Sequence, residues 1–262
     1  MQHPGRAFVS AAVGRRLAGL VVGAWMALQG ASASAADLTV SAAASLTDAF
    51  REIGARFEAT HAGTRVRLNF AASGALLQQI VHGAPVDVFA SADVQTMDEA
   101  DRRGMLEAGT RVEFAGNALV VVVPRDARRP PASLEALVDP SVRRIAIGLP
   151  ASVPVGRYSQ AALAAAGLWP AVQARMIGAH SVRQALDYVA RAEVDAAFVY
   201  RTDAALLADR VRIAFTVPTT PVRYPIAAIA DSRRGAEARQ FIAFVVSPIG
   251  QGLLAKHGFD PR

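Results

Sequence analysis

Cysteine is absent from the 262-residue sequence, and this absence excludes disulfide bonds, thiolate metal ligands, a cysteine nucleophile and a lipid-modified cysteine. The motifs of common nucleotide- and metal-dependent enzymes are also missing. There is no G-x-x-x-x-G-K-[ST] loop, no H-E-x-x-H pair and no G-x-G-x-x-G after a strand. From residue 37 onward no G-x-S-x-G sequence provides a serine nucleophile. We therefore expect a protein that is not an enzyme.

The N-terminal segment lacks acidic residues and carries three arginines within its first 16 residues. The apolar run that follows, at 17–28, is too short for a membrane-spanning helix, which needs about 20 residues. Small residues at 31–36 then provide a cleavage site. This pattern predicts a signal peptide over residues 1–36, cleaved near Ala35/Ala36, and export to the periplasm. The general and the twin-arginine export routes both stay open.

Little excess charge is left once this segment is removed. The formal net charge of the whole sequence is +6, and loss of the three arginines leaves 6 − 3 = +3. The basic residues form no stripe with interleaved aromatic side chains, which a nucleic-acid interface would show. We expect a monomer with no nucleic acid partner.

Strand-like and helix-like segments alternate along the mature chain. Apolar residues at positions 46, 49, 50, 53 and 57, for example, recur with the period of one helix face. Strands are predicted at 38–43, 65–70, 86–90, 118–123, 144–148, 196–200, 211–215 and 224–230, and helices at 46–57, 73–83, 93–104, 156–166, 182–191, 236–246 and 248–257. This alternation predicts parallel sheets with helices on both faces.

The order of these elements predicts an α/β fold of two lobes, each a mostly parallel sheet flanked by helices. The strands at 118–123 and 224–230 are the expected crossovers and form the hinge. They divide the mature chain into lobe I, made of 37–117 and 224–262, and lobe II, made of 118–223. Ligands of open α/β sheets bind beyond the carboxyl ends of the strands. A cleft between the lobes would therefore be lined by helix N-termini, whose free N–H groups attract anions.

Two serines stand where a predicted strand gives way to a helix. Ser45 follows three alanines, and Ser73 follows two. A helix N-cap would explain either serine. Two such positions after small residues favour a ligand contact, because alanine leaves room for a close approach. Related strand-to-helix junctions in lobe II lie at 149–158, 179–183 and 198–203.

Several strings in the sequence resemble the periplasmic molybdate-binding proteins, and they stand in the same order. They are AAASLTDAF, NFAASGALLQQI followed by GAPVDVFASAD, GNALVVVVP, VPVGRY, VRQALDYVARAEVDAAFVY and the final KHGF. The resemblance extends from Leu38 to Phe259. It implies the two-lobed fold of periplasmic binding proteins. It also implies the role of substrate-binding component of a molybdate ABC transporter, which passes the anion to a membrane permease.

The resemblance further implies a set of ligand-binding residues. Ser45 and Ser73 would each provide a hydroxyl and their own N–H group. Val155 and Val182 would each provide a backbone N–H, and Tyr200 would provide its phenol. Relatives commonly carry a smaller residue at position 155, but valine is compatible because only its N–H is used. No side chain would bind a metal ion directly, since the metal arrives as an oxyanion, and no cofactor is expected.

Neutral donors decide which anions such a site would accept. Every group in the implied set donates hydrogen bonds, so an unprotonated oxyanion is favoured over one that must donate a proton of its own. Molybdate and tungstate have nearly the same size and charge, and the sequence leaves the choice between them open. A binding protein for another tetrahedral oxyanion, such as sulfate, stays open as the alternative.

Three other interpretations are weaker. A hydrolytic α/β enzyme would need a histidine base beside a serine, and His180, near the predicted cleft, has no such partner. A cation site would gather carboxylates, whereas the aspartates at 48, 87, 93, 195 and 203 are spread along the chain. Most of them lie beside strands or at helix starts, which are structural positions. The ligand-sensing domain of a regulator is disfavoured by the export signal and by the lack of a DNA-binding segment.

Overall fold

The computed structural model describes residues 36–262. The predicted signal peptide and its cleavage site lie outside these residues, except for Ala36, which begins the first strand. The strands are β1 (Ala36–Ala43), β2 (Thr64–Ala71), β3 (Val88–Ala90), β4 (Val112–Asn117), β5 (Leu119–Pro124), β6 (Ile145–Gly148), β7 (Met176–Ala179), β8 (Ala196–Tyr200), β9 (Val211–Thr216) and β10 (Val222–Ala228). The helices are α1 (Thr47–Thr60), α2 (Ser73–Val81), α3 (Val94–Arg102), α4 (Pro154–Ala165), α5 (Trp169–Gln173), α6 (Val182–Ala190), α7 (Arg201–Leu206), α8 (Gly235–Val246) and α9 (Pro248–Lys256). Short 3-10 helices cover Ala44–Leu46 and Glu135–Val138.

The first sheet has the strand order β2-β1-β3-β10-β4. β1 pairs in parallel with β2 and β3, whereas β10 pairs antiparallel with β3 and β4. Four of its five strands therefore run in one direction, and β10 runs against them.

The second sheet repeats this arrangement in the order β7-β6-β8-β5-β9. β6 pairs in parallel with β7 and β8, and β5 is antiparallel to β8 and β9. The reversed strand of each sheet is the first one after the chain has changed sheets, since only Ala118 separates β4 from β5 and residues 217–221 separate β9 from β10. The predicted α/β class, with two mostly parallel sheets and two crossovers, is confirmed. The lobe limits at 117/118 and 223/224 stay a prediction, as does movement about a hinge.

The predicted apolar face of α1 is buried. Ile53 and two phenylalanines on this face are fully inaccessible to solvent. The Phe50 ring lies 5.7 Å from that of Phe114, and the Phe57 ring lies 5.3 Å from that of Phe241 on α8, centroid to centroid. Burial of each phenylalanine contributes about 1.5–3 kcal/mol. This aromatic cluster fixes α1 against the first sheet, and so fixes the turn that precedes α1.

Several helix ends follow from local sequence. Asp93 caps α3, because its carboxylate accepts from the N–H of Thr96 at 3.1 Å. Gly83 and Gly104 follow α2 and α3 with φ of +86° and +69°, a conformation that glycine adopts without strain. Within residues 36–262 no helix combines the length and the apolar character needed to cross a membrane.

Some element predictions were wrong or incomplete. α4 begins at Pro154, two residues before the predicted start, because proline suits the first position of a helix. β10 covers Val222–Ala228 and not 224–230. The sequence pattern did not predict β4, β7, α5 and α7. These segments are four to six residues long, and α7 follows β8 without a linker, so no turn residue marks its start.

Candidate functional site

A small cavity lies where the carboxyl ends of parallel strands from both sheets meet. The residues that line it follow β1, β2 and β3 of the first sheet and β6, β7 and β8 of the second. They are Ala43, Ala44, Ser45, Ala72, Ser73, Ala92, Val153, Pro154, Val155, Val182 and Tyr200. The structure thus brings all five predicted site residues together around one cavity. Their role in ligand binding stays a prediction.

Ser45 lies in the 3-10 turn that joins β1 to α1, and only 3% of it is exposed. Its hydroxyl caps neither the turn nor the helix, since both starts lack a side-chain cap bond. Its Oγ instead lies 3.1 Å from the phenol oxygen of Tyr224 on β10. The capping explanation, which was open from the sequence, is therefore wrong for Ser45.

Ser73 is the first residue of α2 and is fully buried. Ala72 is the N-cap residue of this helix, and no side chain caps it. The Oγ of Ser73 accepts a hydrogen bond of 3.0 Å from the N–H of Ala92, in the loop after β3. Ser73 therefore holds this loop against the cavity, and it too is explained by something other than capping.

Val155 and Val182 approach the cavity from the second sheet, each in the first turn of a helix. The first four N–H groups of an α-helix have no partner within the helix, so these turns present donors. Gly156 allows α4 to start against the end of β6, because a Cβ there would lie 1.9 Å from the carbonyl oxygen of Gly148. At α6, the hydroxyl of Ser181 accepts from the N–H of Gln184 and leaves the N–H of Val182 to the cavity.

Tyr200 closes the cavity at the end of β8 and is 1% exposed. Its phenol points across to the other sheet, where it donates a long hydrogen bond of 3.4 Å to the carbonyl oxygen of Ala92. Burial raises the pKa of Tyr200 well above its usual value, so the phenol keeps its proton at neutral pH and acts as a donor.

A model of the bacterial extracellular solute-binding proteins matches residues 38–260. The chain belongs to this family. The molybdate-binding protein ModA of Escherichia coli (strain K12) is 32% identical over 94% of this chain and 98% of its own length. YvgL of Bacillus subtilis (strain 168), provisionally named an ABC transporter substrate-binding lipoprotein, is 35% identical over 85% of each chain. The structure of the Azotobacter vinelandii periplasmic molybdate-binding protein matches with a TM-score of 0.74 and 25% identity, over 86% of this chain and 99% of that one. These relatives confirm the resemblance read from the motifs.

Charged residues of this solute-binding protein surround the cavity without lining it. Arg157 on α4 contacts the carboxylate of Asp93 at 2.6 Å and donates to the hydroxyl of Thr96 at 2.6 Å. Arg183 on α6 contacts the carboxylates of Asp203 at 2.7 Å and Asp48 at 2.9 Å. Each arginine belongs to the second sheet's segment and reaches an aspartate of the first. Both pairs therefore close the junction of the two sheets, on either side of the cavity.

The remaining aspartates have structural partners. Asp87 accepts from the N–H of Thr39 at 2.7 Å, and Asp195 accepts from the N–H groups of Arg143 and Arg144 at 2.8 Å. Within residues 36–262, no group of three or more histidine, aspartate or glutamate side chains is placed to hold a metal ion. The aspartates are thus spread over structural positions in this solute-binding protein, as their places in the sequence indicated.

One carboxylate close to the site has an altered pKa. Burial raises the pKa of Asp203 to about 6, and the guanidinium of Arg183 opposes this rise. Asp203 also accepts from the N–H of Tyr200 at 3.3 Å and so holds the end of β8.

Four residues near the cavity escaped prediction. Arg157 and Arg183 stand inside the motifs VPVGRY and VRQAL, but nothing in those strings indicates which aspartate each one reaches. Tyr224 and Asn117, which contact each other beside Ser45, belong to β10 and to the end of β4. Their contacts with Ser45 and with α7 join residues 85–179 positions apart, so no local sequence pattern reveals them.

Proposed function

We propose that this solute-binding protein captures molybdate or tungstate in the cavity between the two sheets. The observation that carries the proposal is the lining itself. Five neutral donor positions, Ser45, Ser73, Val155, Val182 and Tyr200, converge from both sheets on one small cavity. Neighbouring lining residues are mostly alanine, which leaves the donors accessible, and the nearby carboxylates are engaged with arginines. A small oxyanion is the ligand class that matches such a set of donors.

The energy available is sufficient for tight binding. A hydrogen bond to a charged group contributes about 1.5–3 kcal/mol. The starts of α2, α4 and α6 add a partial positive charge at the cavity, worth about 0.3–1 kcal/mol each when exposed and more when buried. After the cost of association, several such bonds give a Kd of about 1 μM or tighter, which corresponds to about −8 kcal/mol. No cofactor enters this scheme, and the metal is held only through its oxygens.

The residues that line the cavity are almost completely buried, so the anion needs a route in. The backbone of Gly74 at the start of α2 donates a hydrogen bond of 3.0 Å to the carbonyl oxygen of Ser152 in the loop before α4. Together with the two arginine pairs, this contact holds the sheets together over the cavity. We propose that lobe I (37–117 and 224–262) and lobe II (118–223) separate about the two crossovers to admit the anion and then close on it.

The names of the relatives support the wider role. ModA is named for molybdate, and YvgL is provisionally named for an ABC transporter. The proposed partner is therefore a membrane permease of that class, and the proposed location is the periplasm, reached through the predicted signal peptide. The protein itself would act as a monomer and catalyse no reaction.

Isothermal titration of the mature protein with molybdate, tungstate, sulfate and phosphate tests this function. We expect micromolar or tighter binding of molybdate and tungstate and much weaker binding of the other two. The Ser45→Ala/Ser73→Ala double variant should lose most of this affinity. A Ser133→Ala/Ser141→Ala control, in a loop away from the cavity, should bind as the wild type does.

Two outcomes would contradict the proposal. Sulfate binding in preference to molybdate would assign the protein to the sister oxyanion. Binding that survives the double serine substitution would mean that the anion sits elsewhere.

A further inference from the structure

A buried chain of hydrogen bonds runs from Asn117, at the end of β4, to Ser45 in the cavity lining. Asn117, the last residue of β4, donates from its amide nitrogen to the phenol oxygen of Tyr224 at 3.3 Å and to the hydroxyl of Thr202 at 2.9 Å. The phenol oxygen of Tyr224 lies 3.1 Å from the Oγ of Ser45. Asn117 is 8% exposed, Tyr224 is fully buried and Ser45 is 3% exposed. Water is thus kept from the whole chain.

The amide orientation of Asn117 sets the direction of this chain. Its Oδ1 accepts from the N–H of Ala118 at 2.9 Å, so its Nδ2 faces Tyr224 and can only donate. The oxygen of Tyr224 is therefore an acceptor for Asn117. Burial raises the pKa of Tyr224 well above its usual value, so the phenol also carries a proton that needs an acceptor.

We assign Ser45 as the acceptor of the Tyr224 phenol proton. Among residues 36–262, the Oγ of Ser45 is the one acceptor within hydrogen-bond distance of the Tyr224 hydroxyl. The reverse direction, with Ser45 donating to Tyr224, would leave a fully buried phenol proton without a partner, which is costly. The proton of Ser45 is then left free to point into the cavity.

Ser73 is arranged in the same way by different means. Its Oγ accepts from the N–H of Ala92, so its own proton is free as well. Both serines thus have a lone pair occupied by a protein donor, once by a phenol and once by a backbone amide. Each serine is set as a donor before any anion arrives.

We propose that Tyr224, oriented by Asn117, is a positioning residue that commits Ser45 to donate, and that it thereby discriminates unprotonated from protonated oxyanions. The inference rests on the proposed function and deepens it. Molybdate, tungstate and sulfate carry no proton at neutral pH and accept from every donor. Hydrogen phosphate must donate its own proton, and Tyr224 already occupies one of the two lone pairs with which Ser45 could accept it. Tyr224 contacts Ser45 at 3.1 Å but is not among the residues that line the cavity.

The packing around Tyr224 makes a clean test possible. Its ring lies between those of Phe259 at 5.4 Å, Tyr200 at 5.8 Å and Phe114 at 6.3 Å, all in edge-to-face arrangements. These contacts hold the ring without help from the hydroxyl. Tyr224→Phe therefore removes one proton donor and leaves the packing in place. Tyr188→Phe, on α6 and outside the cavity lining, is the matched control.

The experiment measures Kd for molybdate and for inorganic phosphate at pH 8 by titration calorimetry, with thermal unfolding as the check on folding. We expect Tyr224→Phe to weaken molybdate binding about threefold to tenfold, the effect of one hydrogen bond. The ratio of the phosphate Kd to the molybdate Kd should fall by a similar factor or more, because both lone pairs of Ser45 are then free to accept. Tyr188→Phe should leave both values unchanged.

A double-mutant cycle separates positioning from general structural damage. In a Ser45→Ala background, Tyr224→Phe should change the molybdate Kd by less than about twofold, since its effect passes through Ser45. Asn117→Ala, measured in the same two backgrounds, should show the same dependence on Ser45, so the test does not depend on one variant. If the wild type binds molybdate, additive effects in this cycle, or a Kd ratio that Tyr224→Phe leaves unchanged, would overturn the positioning role alone. A wild type that binds none of the oxyanions would overturn the proposed function, and this inference with it.

Discussion

Gly74 provides the sharpest test of how the cavity closes. It stands at the start of α2, directly after Ser73, and its N–H donates to the carbonyl oxygen of Ser152 across the junction of the two sheets. A Cβ at position 74 would lie 2.6 Å from that oxygen and 2.8 Å from the Cα of Ser152. Both neighbours are backbone atoms, so neither can rotate away. Gly74→Ala must therefore push the two backbones apart by about 1 Å to reach ordinary contact distances.

The cost of this separation should appear in binding and not in folding. Under the proposed opening of the lobes, the free protein would relieve the contact. With anion bound, the variant loses the bond to Ser152, worth about 1 kcal/mol, and stretches the donors of one lobe away from the ligand. We expect a total loss of about 2 kcal/mol, which corresponds to an increase of about thirtyfold in the molybdate Kd. The thermal unfolding midpoint without ligand should change by only a few degrees.

Gly252→Ala is the control for the glycine substitution itself. Gly252 lies on the exposed side of α9, and a Cβ there would meet nothing within 4 Å. Alanine in a helix interior is favoured over glycine by about 0.5–1 kcal/mol, so this variant should be slightly more stable and should bind molybdate as the wild type does. Isothermal titration and thermal unfolding of both variants give the comparison. Wild-type affinity in Gly74→Ala would refute the argument that this contact belongs to the closed, anion-holding state.

Three further outcomes are expected. Arg157→Met should weaken molybdate binding about tenfold or more by calorimetry, because closure would then bury the charge of Asp93 without its cationic partner; equal affinity would contradict this. Phe50→Ala should lower the free energy of unfolding by about 3–5 kcal/mol in urea titrations, because the ring is fully buried. Burial raises the pKa of Asp203 to about 6, above the value of about 3.9 expected in the unfolded chain, so the folded state holds this proton more tightly. As the pH rises from about 4 to about 6, the unfolding free energy of the wild type should therefore fall relative to that of Asp203→Asn. A difference between the two proteins that stays constant over this range would contradict the raised pKa.

Much of the fold could be predicted because the spacing of apolar residues along the chain reflects which face of each helix or strand is buried. The face of α1 that carries Phe50 and Phe57 repeats with helical period, and it is the face that packs against Phe241. β4 was missed for an equally physical reason. It ends in Gly116-Asn117, and only Ala118 separates it from the apolar run of β5, so only the second strand was predicted.

The site residues also divide into those that a local sequence pattern reveals and those that it does not. Ser45 and Ser73 stand at strand-to-helix junctions, so sequence pattern alone made them candidates. Val155, Val182 and Tyr200 came from the resemblance, since a backbone N–H has no signature in the side chain that carries it. Tyr224 could come from neither source. It lies 179 residues from Ser45 along the chain, and the proton it supplies matters only once the fold has placed the two oxygens 3.1 Å apart.

The placement of the arginines explains why neutral donors can control selectivity. A cation inside the cavity would attract any dianion, so binding would depend on the ligand's charge more than on its shape. Arg157 and Arg183 lie outside it, and each is balanced by an aspartate of the first sheet's segment, at 2.6 Å and 2.9 Å. Under the proposed closure, their charges would act on the closing of the lobes, because each pair joins segments of different sheets. The groups left to face the anion would then be donors fixed in direction, Ser45 by Tyr224 and Ser73 by Ala92. Discrimination then depends on where the ligand's oxygens lie and on whether any of them carries a proton.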